Sequence, residues 1–307
     1  MVEKKAMDEF GGYLDIELIG EGAYGQVHKV KHAESGKIYA LKKIFLREEK
    51  EGIPSSAVRE IAILNGINHI NIVKLLEVIQ TEKNLSLVFE YITQDLKKEI
   101  DSSNEGLDSK KIKSYLYQLL KGIQYLQENK ILHRDLKPAN ILINDKGILK
   151  IADFGLSRSF AINTKNYINE VVTLHYRSPD VLLGNKNYLT SIDIWSIGCI
   201  FAEMAIGKPL FYANQEIDQL KRIFRILGTP SECNWPEAFK LQDWNADKFE
   251  VYQPQSLNIF INKLDHNGLD LLGKMLQMNP DKRISISNAL NHQYFDDIPR
   301  SILELYQ

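Results

Sequence analysis

Two short polar stretches carry most of the chemical information in this chain. The first reads His133-Arg134-Asp135-Leu136-Lys137-Pro138-Ala139-Asn140, and Asp153-Phe154-Gly155 follows thirteen residues after it. The carboxylate of Asp135 can accept a proton from a hydroxyl group, and Asn140 and Asp153 supply the hard oxygen ligands that Mg²⁺ prefers. Two ordered polar motifs at this separation predict a site of chemistry, rather than a surface loop in which Asp and Asn only cap turns.

A glycine-rich turn lies near the start of the chain. Gly20-Glu21-Gly22-Ala23-Tyr24-Gly25-Gln26-Val27 matches G-x-G-x-x-G-x-V, a pattern that dinucleotide-binding folds share in a closely similar form. In those folds the glycines lead from a strand into a helix, whereas here residues 26–32 continue as a strand. The context therefore favours a glycine-rich hairpin able to close over phosphates, with a plain β-turn as the alternative. A nicotinamide dehydrogenase, which rests on the glycines alone, is discarded.

A lysine and a glutamate follow in a suggestive order. Tyr39-Ala40-Leu41-Lys42 puts Lys42 in a strand, and Glu60 lies in a stretch with helical periodicity. A strand lysine is usually no more than a solvated charge. A lysine beside ATP phosphates, however, needs an acidic partner to hold its long side chain, and a strand Lys followed by a helix Glu is typical of kinases.

The periodicity of the apolar residues divides the chain into two parts. The chain has 307 residues, 44% hydrophobic and 25% charged, which is the composition of a globular protein with two domains or two lobes. Period-two patterns and one helical stripe (Ala57, Ile61, Leu64) fill the first part, and period-3.6 patterns fill the second. The predicted strands are 13–19, 26–32, 37–44 and 85–89, and the clearest helices are 112–126, after the cap Asp108-Ser109, and 220–227, before Gly228 and Pro230.

This organisation predicts an α+β fold with a small β-rich first lobe, residues 1–91, and a larger helical second lobe, residues 92–307. We expect a tight hinge near residues 90–94, and a cleft at that hinge is the default ligand site.

Charge and cysteine content limit the classes of partner. Lys plus Arg is 38 and Asp plus Glu is 40, so the net charge of −2 gives no reason to expect a nucleic acid or a membrane. Cys199 and Cys233 cannot build a disulfide framework or a multi-thiolate metal site, which is typical of a reducing compartment. The chain begins without a signal-type apolar run, Val2 excludes myristoylation, and residues 194–202 are too short to span a bilayer. We expect the protein in the cytoplasm, the nucleus or both.

Together these motifs resemble those of eukaryotic Ser/Thr protein kinases, and specifically those of the cyclin-dependent kinases. The resemblance covers Tyr13 to Phe295. Pro54-Ser55-Ser56-Ala57-Val58-Arg59-Glu60 is similar to the PSTAIRE-type cyclin-binding helix. The other narrowing motifs are Glu170-Val171-Val172-Thr173-Leu174-His175-Tyr176-Arg177, Asp193-Ile194-Trp195-Ser196-Ile197-Gly198 and Leu227-Gly228-Thr229-Pro230.

The resemblance implies a bilobal protein kinase fold, the cofactors ATP and Mg²⁺, and a role for each matching residue. Lys42 would contact the α and β phosphates and pair with Glu60, and Asp135 would act as base or orient the substrate hydroxyl. Lys137 would stabilise the transferred phosphoryl group. Asn140 and Asp153 would hold Mg²⁺, and Thr173 is placed among the catalytic residues.

The same resemblance assigns the nucleotide site. Phe89 would be the gatekeeper beside the adenine, and Asp95 would lie near the ribose. For Ile19, Val27, Ala40 and Leu142, ordinary core packing is the alternative. The full set is Ile19, Gly20, Glu21, Gly22, Gly25, Val27, Ala40, Lys42, Phe89, Glu90, Ile92, Asp95, Leu142 and Asp153.

The expected activity is transfer of the ATP γ-phosphate to Ser or Thr followed by Pro in a protein substrate, with dependence on a cyclin-like regulatory subunit. A mitogen-activated-type kinase is an alternative, although Asn163-Thr164-Lys165-Asn166-Tyr167 lacks the Thr-x-Tyr pair of that type. A catalytically impaired kinase fold that serves as a scaffold is the other alternative, although Lys42, Glu60, Asp135, Asn140 and Asp153 are all present.

Four departures from the family pattern carry expectations of their own. Ser178-Pro179-Asp180 stands where kinases usually have Ala-Pro-Glu, so we expect the bridge from Asp180 to Arg283 to be longer or water-mediated. His175 replaces a tryptophan, which puts the packing of the substrate loop in question. Ala23 stands where many relatives have an inhibitory threonine, and only Tyr24 is kept. Ile168 occupies the position of the activating Thr or Ser, although the three arginines that usually hold its phosphate are matched by Arg59, Arg134 and Arg158.

Overall fold

The computed structural model describes residues 11–22, 25–45, 54–81, 84–103, 105–159, 173–186 and 189–307. The chain divides into two compact units. The first contains Met1–Thr93 and Leu142–Ser157, and the second contains Gln94–Ile141 and Arg158–Gln307. Several predictions concern residues outside the described ones, namely Ala23, Tyr24, Ile53, the segment 163–167, Ile168, Glu170, Val171 and Val172.

A five-stranded antiparallel sheet in the order β1-β2-β3-β5-β4 dominates the first unit. Its strands are β1 (Tyr13–Gly22), β2 (Gly25–His32), β3 (Ile38–Phe45), β4 (Leu75–Gln80) and β5 (Asn84–Glu90). The predicted hairpin of β1 and β2 is present, with the glycines at its closed end. β4 was not predicted. It lies at the sheet edge, is mostly exposed and has a register shift, so its side chains do not follow the simple alternation that a buried strand shows.

The two faces of this sheet carry different sets of side chains. Tyr13, Val30, Leu41 and Val88 form a buried cluster on one face. Residues directly opposite in an antiparallel pair share a face, so the pairs Val27–Lys42 and Ala40–Phe89 lie on the other. Strands β2 and β3 approach closely at Gly25, where a Cβ atom would collide with the Lys43 carbonyl oxygen.

Short strands follow along the chain: β6 (Gln94–Asp95), β7 (Ile131–Leu132), β8 (Ile141–Ile143), β9 (Leu149–Ile151) and β10 (Arg158–Ser159). β9 joins the first unit through backbone and side-chain bonds. The Val73 N–H donates to the Ile151 carbonyl over 2.9 Å, and the Asn71 side-chain amide donates to the Leu149 carbonyl over 2.9 Å. These bonds carry the residues after β9, including Asp153, into the first unit.

Helix α1 (Ser55–Leu64) is the main helix of the first unit. Its N-cap is Pro54, whose fixed φ suits a helix start. Ala57, Glu60 and Leu64 are buried, whereas Val58 is 51% exposed. The helix therefore presents Glu60 to the sheet and Val58 to the outside.

The second unit is mainly helical, as predicted. Asp108 caps its long helix by accepting bonds of 3.0 Å from the Lys110 and Lys111 N–H groups, and the predicted apolar stripe (Ile112, Leu116, Leu119, Ile123) is buried. Within the described residues, no helix is both long and apolar enough to cross a membrane. The helices are α2 (Leu96–Asp101), α3 (Ser109–Glu128), α4 (Pro179–Leu182), α5 (Ser191–Ile206), α6 (Glu216–Leu227), α7 (His266–Met275), α8 (Ile286–Leu290) and α9 (Arg300–Leu303).

Candidate active site

Three charged side chains meet in the first unit. The Lys42 ammonium on β3 lies 2.9 and 3.0 Å from the two carboxylate oxygens of Glu60 on α1, and 3.1 Å from Oδ1 of Asp153. Lys42 and Glu60 are 17% and 4% exposed, whereas Asp153 is 47% exposed. The lysine is thus held by one buried and one accessible carboxylate.

The charges of this cluster shift its pKa values. Burial by itself would lower the pKa of Lys42, but the carboxylates of Asp153 and Glu60 outweigh that effect and raise it above its ordinary value. Burial raises the pKa of Glu60, while the Lys42 ammonium and the Phe154 N–H, which donates to this carboxylate, oppose the rise. Lys42 therefore keeps its positive charge at neutral pH.

The backbone at Asp153 is held in an uncommon conformation. Its φ is 61°, in the left-handed region that residues other than glycine rarely adopt. Such a conformation costs of order 1–3 kcal/mol and persists where surrounding contacts hold it, often at functional sites. The contacts of Asp153 with Lys42 and of Phe154 with Glu60 are of this kind.

The residues assigned to the nucleotide by resemblance lie mostly in the first unit. Val27, Ala40, Lys42 and Phe89 share one sheet face, as the strand register shows. Ile19 is 41% exposed, Gly20 pairs with Val27, and Glu21 and Gly22 pair with Gln26 and Gly25. Glu90, Ile92 and Leu142 are partly buried, and Glu90 accepts bonds from the Lys150 ammonium over 2.8 Å and the Lys74 N–H over 3.0 Å.

The polar loop 133–140 lies in the second unit and is closed by its own side chains. The Lys137 ammonium lies 2.8 Å from Oδ2 of Asp135. The Asn140 amide donates to the Asp135 carbonyl over 2.8 Å and to the same Oδ2 over 3.1 Å. Asp135 is 6% exposed, so a buried carboxylate is fixed between an ammonium and an amide.

Helix α5 contacts this loop through the side chain of Asp193. Its carboxylate accepts the His133 N–H over 3.0 Å and the Arg134 N–H over 2.9 Å. Burial raises the pKa of Asp193, while His133 and the two N–H groups oppose the rise. Arg134 has a φ of 72°, and the two bonds to Asp193 help to hold that left-handed conformation.

Asp193 was quoted in the sequence only as part of a family motif, and no role was assigned to it. The sequence signal that could have indicated this role is an acidic residue at the start of an apolar helix. The contact itself spans sixty residues and could not be read from spacing.

The residues expected to hold Mg²⁺ fit that ion chemically. The Asn140 amide nitrogen makes the bonds to Asp135, so within the described residues its side-chain oxygen is left without a donor. Asp153, in the first unit, has a carboxylate that is 47% exposed. Mg²⁺ takes one or two such oxygen ligands and completes its shell with phosphates and water. No group of three or more His, Cys, Asp or Glu suited to a metal occurs in the part of the chain that the structure describes.

Asp95 and Thr173, which the resemblance assigns to the ribose and to the catalytic residues, both lie directly before a helix. Asp95 caps α2 by accepting the Lys98 N–H at Oδ1 over 2.8 Å, and its Oδ2 lies 3.1 Å from the Lys98 ammonium, so both carboxylate oxygens already have a partner. Thr173 precedes the 3-10 helix Leu174–Tyr176, and its side chain makes no capping bond there.

The expectation for the bridge between Asp180 and Arg283 was wrong. The Arg283 guanidinium contacts the Asp180 carboxylate directly, and both side chains are 1% exposed. Arg283 also donates to the carbonyls of Gln277, Ser191 and Met278 at 2.8 to 3.1 Å. These three carbonyls hold the guanidinium within direct reach of Asp180, while the second carboxylate oxygen of Asp180 remains buried without a bonding partner among the described residues.

His175, which stands where the family has a tryptophan, packs against a neighbouring aromatic residue. Its ring stacks at a tilt on Tyr212, with 4.6 Å between centroids. Burial lowers the pKa of His175, although a bond to the Ala213 backbone opposes this. The imidazole therefore fills the site as a mainly neutral ring.

A comparison with family models identifies the family to which this chain is similar. The model for the protein kinase domain matches residues 13–295, nearly the whole chain. The matched region includes the glycine hairpin, the Lys42 cluster, the loop 133–140 and the pair Asp180–Arg283. The chain therefore belongs to the protein kinase domain family, and it is a protein kinase.

Proposed function

We propose that this protein kinase transfers the γ-phosphate of ATP to Ser or Thr followed by Pro, and that it depends on a cyclin-like subunit. The observation that carries the chemical part is the state of Asp135. Its carboxylate is almost fully buried and is fixed by Lys137 at 2.8 Å and Asn140 at 3.1 Å. A carboxylate held in this way can orient a substrate hydroxyl and accept its proton.

Lys137 has a second role in this proposal. Its ammonium already lies against Asp135, so it is placed to stabilise negative charge on the group that passes to the substrate hydroxyl. By resemblance, a lysine two residues after the catalytic aspartate also favours Ser or Thr over Tyr as the acceptor.

The first unit provides the residues for the nucleotide. Lys42 is oriented by Glu60 and keeps its charge, which suits contact with the α and β phosphates. Val27, Ala40 and Phe89 share its sheet face and offer an apolar surface for the adenine. Asn140 and Asp153 would hold Mg²⁺, which supplies neutralisation of the phosphate charge when it is bound.

The substitution Asp135→Asn tests this assignment against the scaffold alternative. We expect transfer of labelled phosphate from ATP to a histone-type protein to fall at least a hundredfold, because positioning and electrostatics supply nearly all of this catalysis. Asp247→Asn, at an exposed site of the same unit, is the matched control. Retention of more than a tenth of the wild-type turnover by Asp135→Asn would sink the proposal, and an inactive wild-type protein would favour the scaffold.

The exposed face of α1 supports the proposed cyclin dependence. Val58 is 51% exposed on a helix whose opposite side holds Glu60 against Lys42. Ala57, in the same PSTAIRE-like segment, is buried at 2% exposure, in agreement with the apolar stripe that it forms with Ile61 and Leu64, so it is not part of this exposed face. A partner that packs on Val58 would favour the arrangement in which the Lys42–Glu60 pair is formed.

Charge placed at Val58 tests this partner. We expect Val58→Asp to abolish stimulation by added cyclins while basal transfer is unchanged, because a charge buried in an apolar interface is strongly unfavourable. Val251→Asp, at an 84% exposed valine of the second unit, is the control. Full activity of the purified chain, unaffected by any cyclin, argues against the dependence.

The preference for proline rests on the segment that precedes α4. Arg177 is fixed by its ion pair with Glu216 at 2.7 Å and by its N–H, which donates to the Leu174 carbonyl over 3.0 Å. In related kinases this segment leaves no good acceptor for the N–H of the residue after the target, and proline has none to lose. A peptide library in which proline at that position gives no advantage contradicts this part.

Activation without phosphorylation at Ile168 is the last part of the proposal. Isoleucine carries no hydroxyl to phosphorylate, and we propose that Ile168 packs against the partner or its own loop. Glu170, another acidic group or a bound anion would then offset the arginines at 59, 134 and 158. Phosphatase treatment should leave activity unchanged, and the preference for a basic residue three positions after the target should be weak. A large loss of activity together with loss of a phosphate from residues 159–177, as seen by mass spectrometry, contradicts this part.

A further inference from the structure

A cavity of about 380 Å³ lies in the second unit, away from the loop 133–140 in sequence. Its wall combines three lysines, two aspartates, two hydroxyl groups and an apolar floor. The volume lies within the roughly 300–1,000 Å³ typical of small-molecule pockets. The lining residues are Ser109, Lys110, Lys113, Lys263, Leu264, Asp265, Tyr294, Asp297 and Pro299.

The charges of the wall do not cancel. The Lys113 ammonium pairs with the Asp297 carboxylate and lies 4.7 Å from the centre of the Tyr294 ring, so this lysine is fully engaged. Asp265 caps α7 by accepting the Gly268 N–H over 2.7 Å, and the positive end of the helix dipole offsets its charge. The wall therefore keeps one net positive charge, and Lys110 and Lys263 form no ion pair with a carboxylate among the described residues.

Lys263 is held in place by a neutral partner. Its ammonium donates to the Gly106 carbonyl over 3.0 Å, which fixes its position and leaves its charge uncompensated by that bond. Lys110 lies in the first turn of the twenty-residue helix α3, where the helix dipole also favours an anion.

A hydroxyl group on the cavity wall supplies the second, independent observation. Tyr294 is 3% exposed and lines the cavity, yet its hydroxyl makes no hydrogen bond to any residue that the structure describes. Burial raises the pKa of this phenol, and the charges of Asp265 and Asp297, which also line the cavity, raise it further. The hydroxyl therefore stays protonated and lies near the two carboxylates of the wall. Because this hydroxyl opens into the cavity, it can donate a hydrogen bond to an acceptor on a ligand bound there.

We propose that this cavity binds a small organic anion, whose carboxylate or phosphate group contacts Lys110, Lys263 and the Tyr294 hydroxyl. The carbon skeleton of the ligand packs on Leu264 and Pro299. This site is distinct in its residues from those proposed for ATP and Mg²⁺, and it makes the second unit a receptor for a small molecule.

Calorimetric titration with benzoate and, separately, with glycerol phosphate tests the proposal and distinguishes the two anionic groups. The full chain is first saturated with a non-hydrolysable ATP analogue and Mg²⁺, so that the nucleotide residues are occupied. We expect at least one anion to bind in the millimolar range or tighter.

Three variants identify the site. Lys110→Gln with Lys263→Gln removes both of these charges, and we expect binding to weaken at least tenfold. Tyr294→Phe keeps the ring over which Lys113 lies and removes only the hydroxyl, and we expect a threefold to tenfold loss. Lys208→Gln with Lys240→Gln removes the same charge from exposed positions outside the cavity and should leave binding unchanged.

Circular dichroism and melting temperature confirm that each variant is folded, and Tyr294→Phe keeps the test decisive if the lysine pair fails to fold. The proposal is overturned if neither anion binds below about 10 mM. Equal binding by the wild-type protein, Tyr294→Phe and the two double variants also overturns it.

Discussion

Two buried contacts between a cation and a carboxylate, one in each unit, use similar charges for different purposes. Among the described residues, Lys42 meets only the carboxylates of Glu60 and Asp153, and its side chain is 17% exposed. Arg283 meets Asp180 and three backbone carbonyls, and its side chain is 1% exposed.

The difference lies in what satisfies each cation. Arg283 has its donors distributed over neutral carbonyls and a carboxylate, and it lies 5.1 Å from the centre of the Trp195 ring, so nothing is left for a ligand. Lys42 is balanced by charges alone, one of them on the accessible Asp153, so an anionic ligand can compete for its ammonium. The contact at Lys42 suits a ligand site, and the contact at Arg283 suits stabilisation of the fold. Substitutions at the two sites should therefore affect different measurements.

Removal of the Lys42 charge should have the largest effect, and on activity. We expect Lys42→Met to lower phosphate transfer at least a hundredfold, because the ammonium acts on the phosphates. Its melting temperature should change less than that of an Arg283 variant, because one of the two carboxylates left behind, Asp153, is 47% exposed and stays solvated. Lys240→Met, at an exposed lysine, is the control. Transfer above a tenth of the wild-type rate would remove the distinction between the two contacts.

Removal of the Arg283 charge should act on stability. We expect Arg283→Met to lower the free energy of unfolding by about 3–5 kcal/mol, because Asp180 is left buried without its ion pair. Urea denaturation followed by tryptophan fluorescence measures this change. A loss below about 1 kcal/mol would place Arg283 with weakly coupled surface charges instead.

Restoration of the usual glutamate should have a smaller effect. Asp180 already reaches Arg283 directly, so the extra methylene of Asp180→Glu must be fitted into a closed site. We expect a destabilisation of about 1–3 kcal/mol in the same denaturation assay. A gain in stability would mean that the unpartnered oxygen of Asp180 dominates, and that glutamate relieves it.

Protonation of His175 should give the smallest effect. Burial lowers its pKa below the ordinary 6.5, so the unfolded chain binds the proton more tightly than the folded chain. The contribution of His175 is therefore fully present above about pH 6.5 and is lost as the pH falls below that value through the folded pKa. His175→Phe keeps a ring on Tyr212 and should show a smaller fall in melting temperature between pH 7.5 and 5.5 than the wild type. An identical fall in both proteins would exclude the imidazole as the cause.

The sequence by itself determined the parts of the molecule in which near neighbours interact. The periodicity of α3, its cap at Asp108 and the end of α6 at Gly228 follow from patterns a few residues long. The loop 133–140 is likewise closed by contacts within itself, from Lys137 and Asn140 to Asp135. Such contacts depend on local spacing, which the order of residues fixes directly.

Only the tertiary structure decided which distant groups meet. Asp193 holds the backbone of His133 from sixty positions away, and Asp180 reaches Arg283 across 103 positions without the predicted gap. The strand β4 also emerged only in the folded chain. These features depend on where whole elements are placed in the fold. No local pattern records that placement.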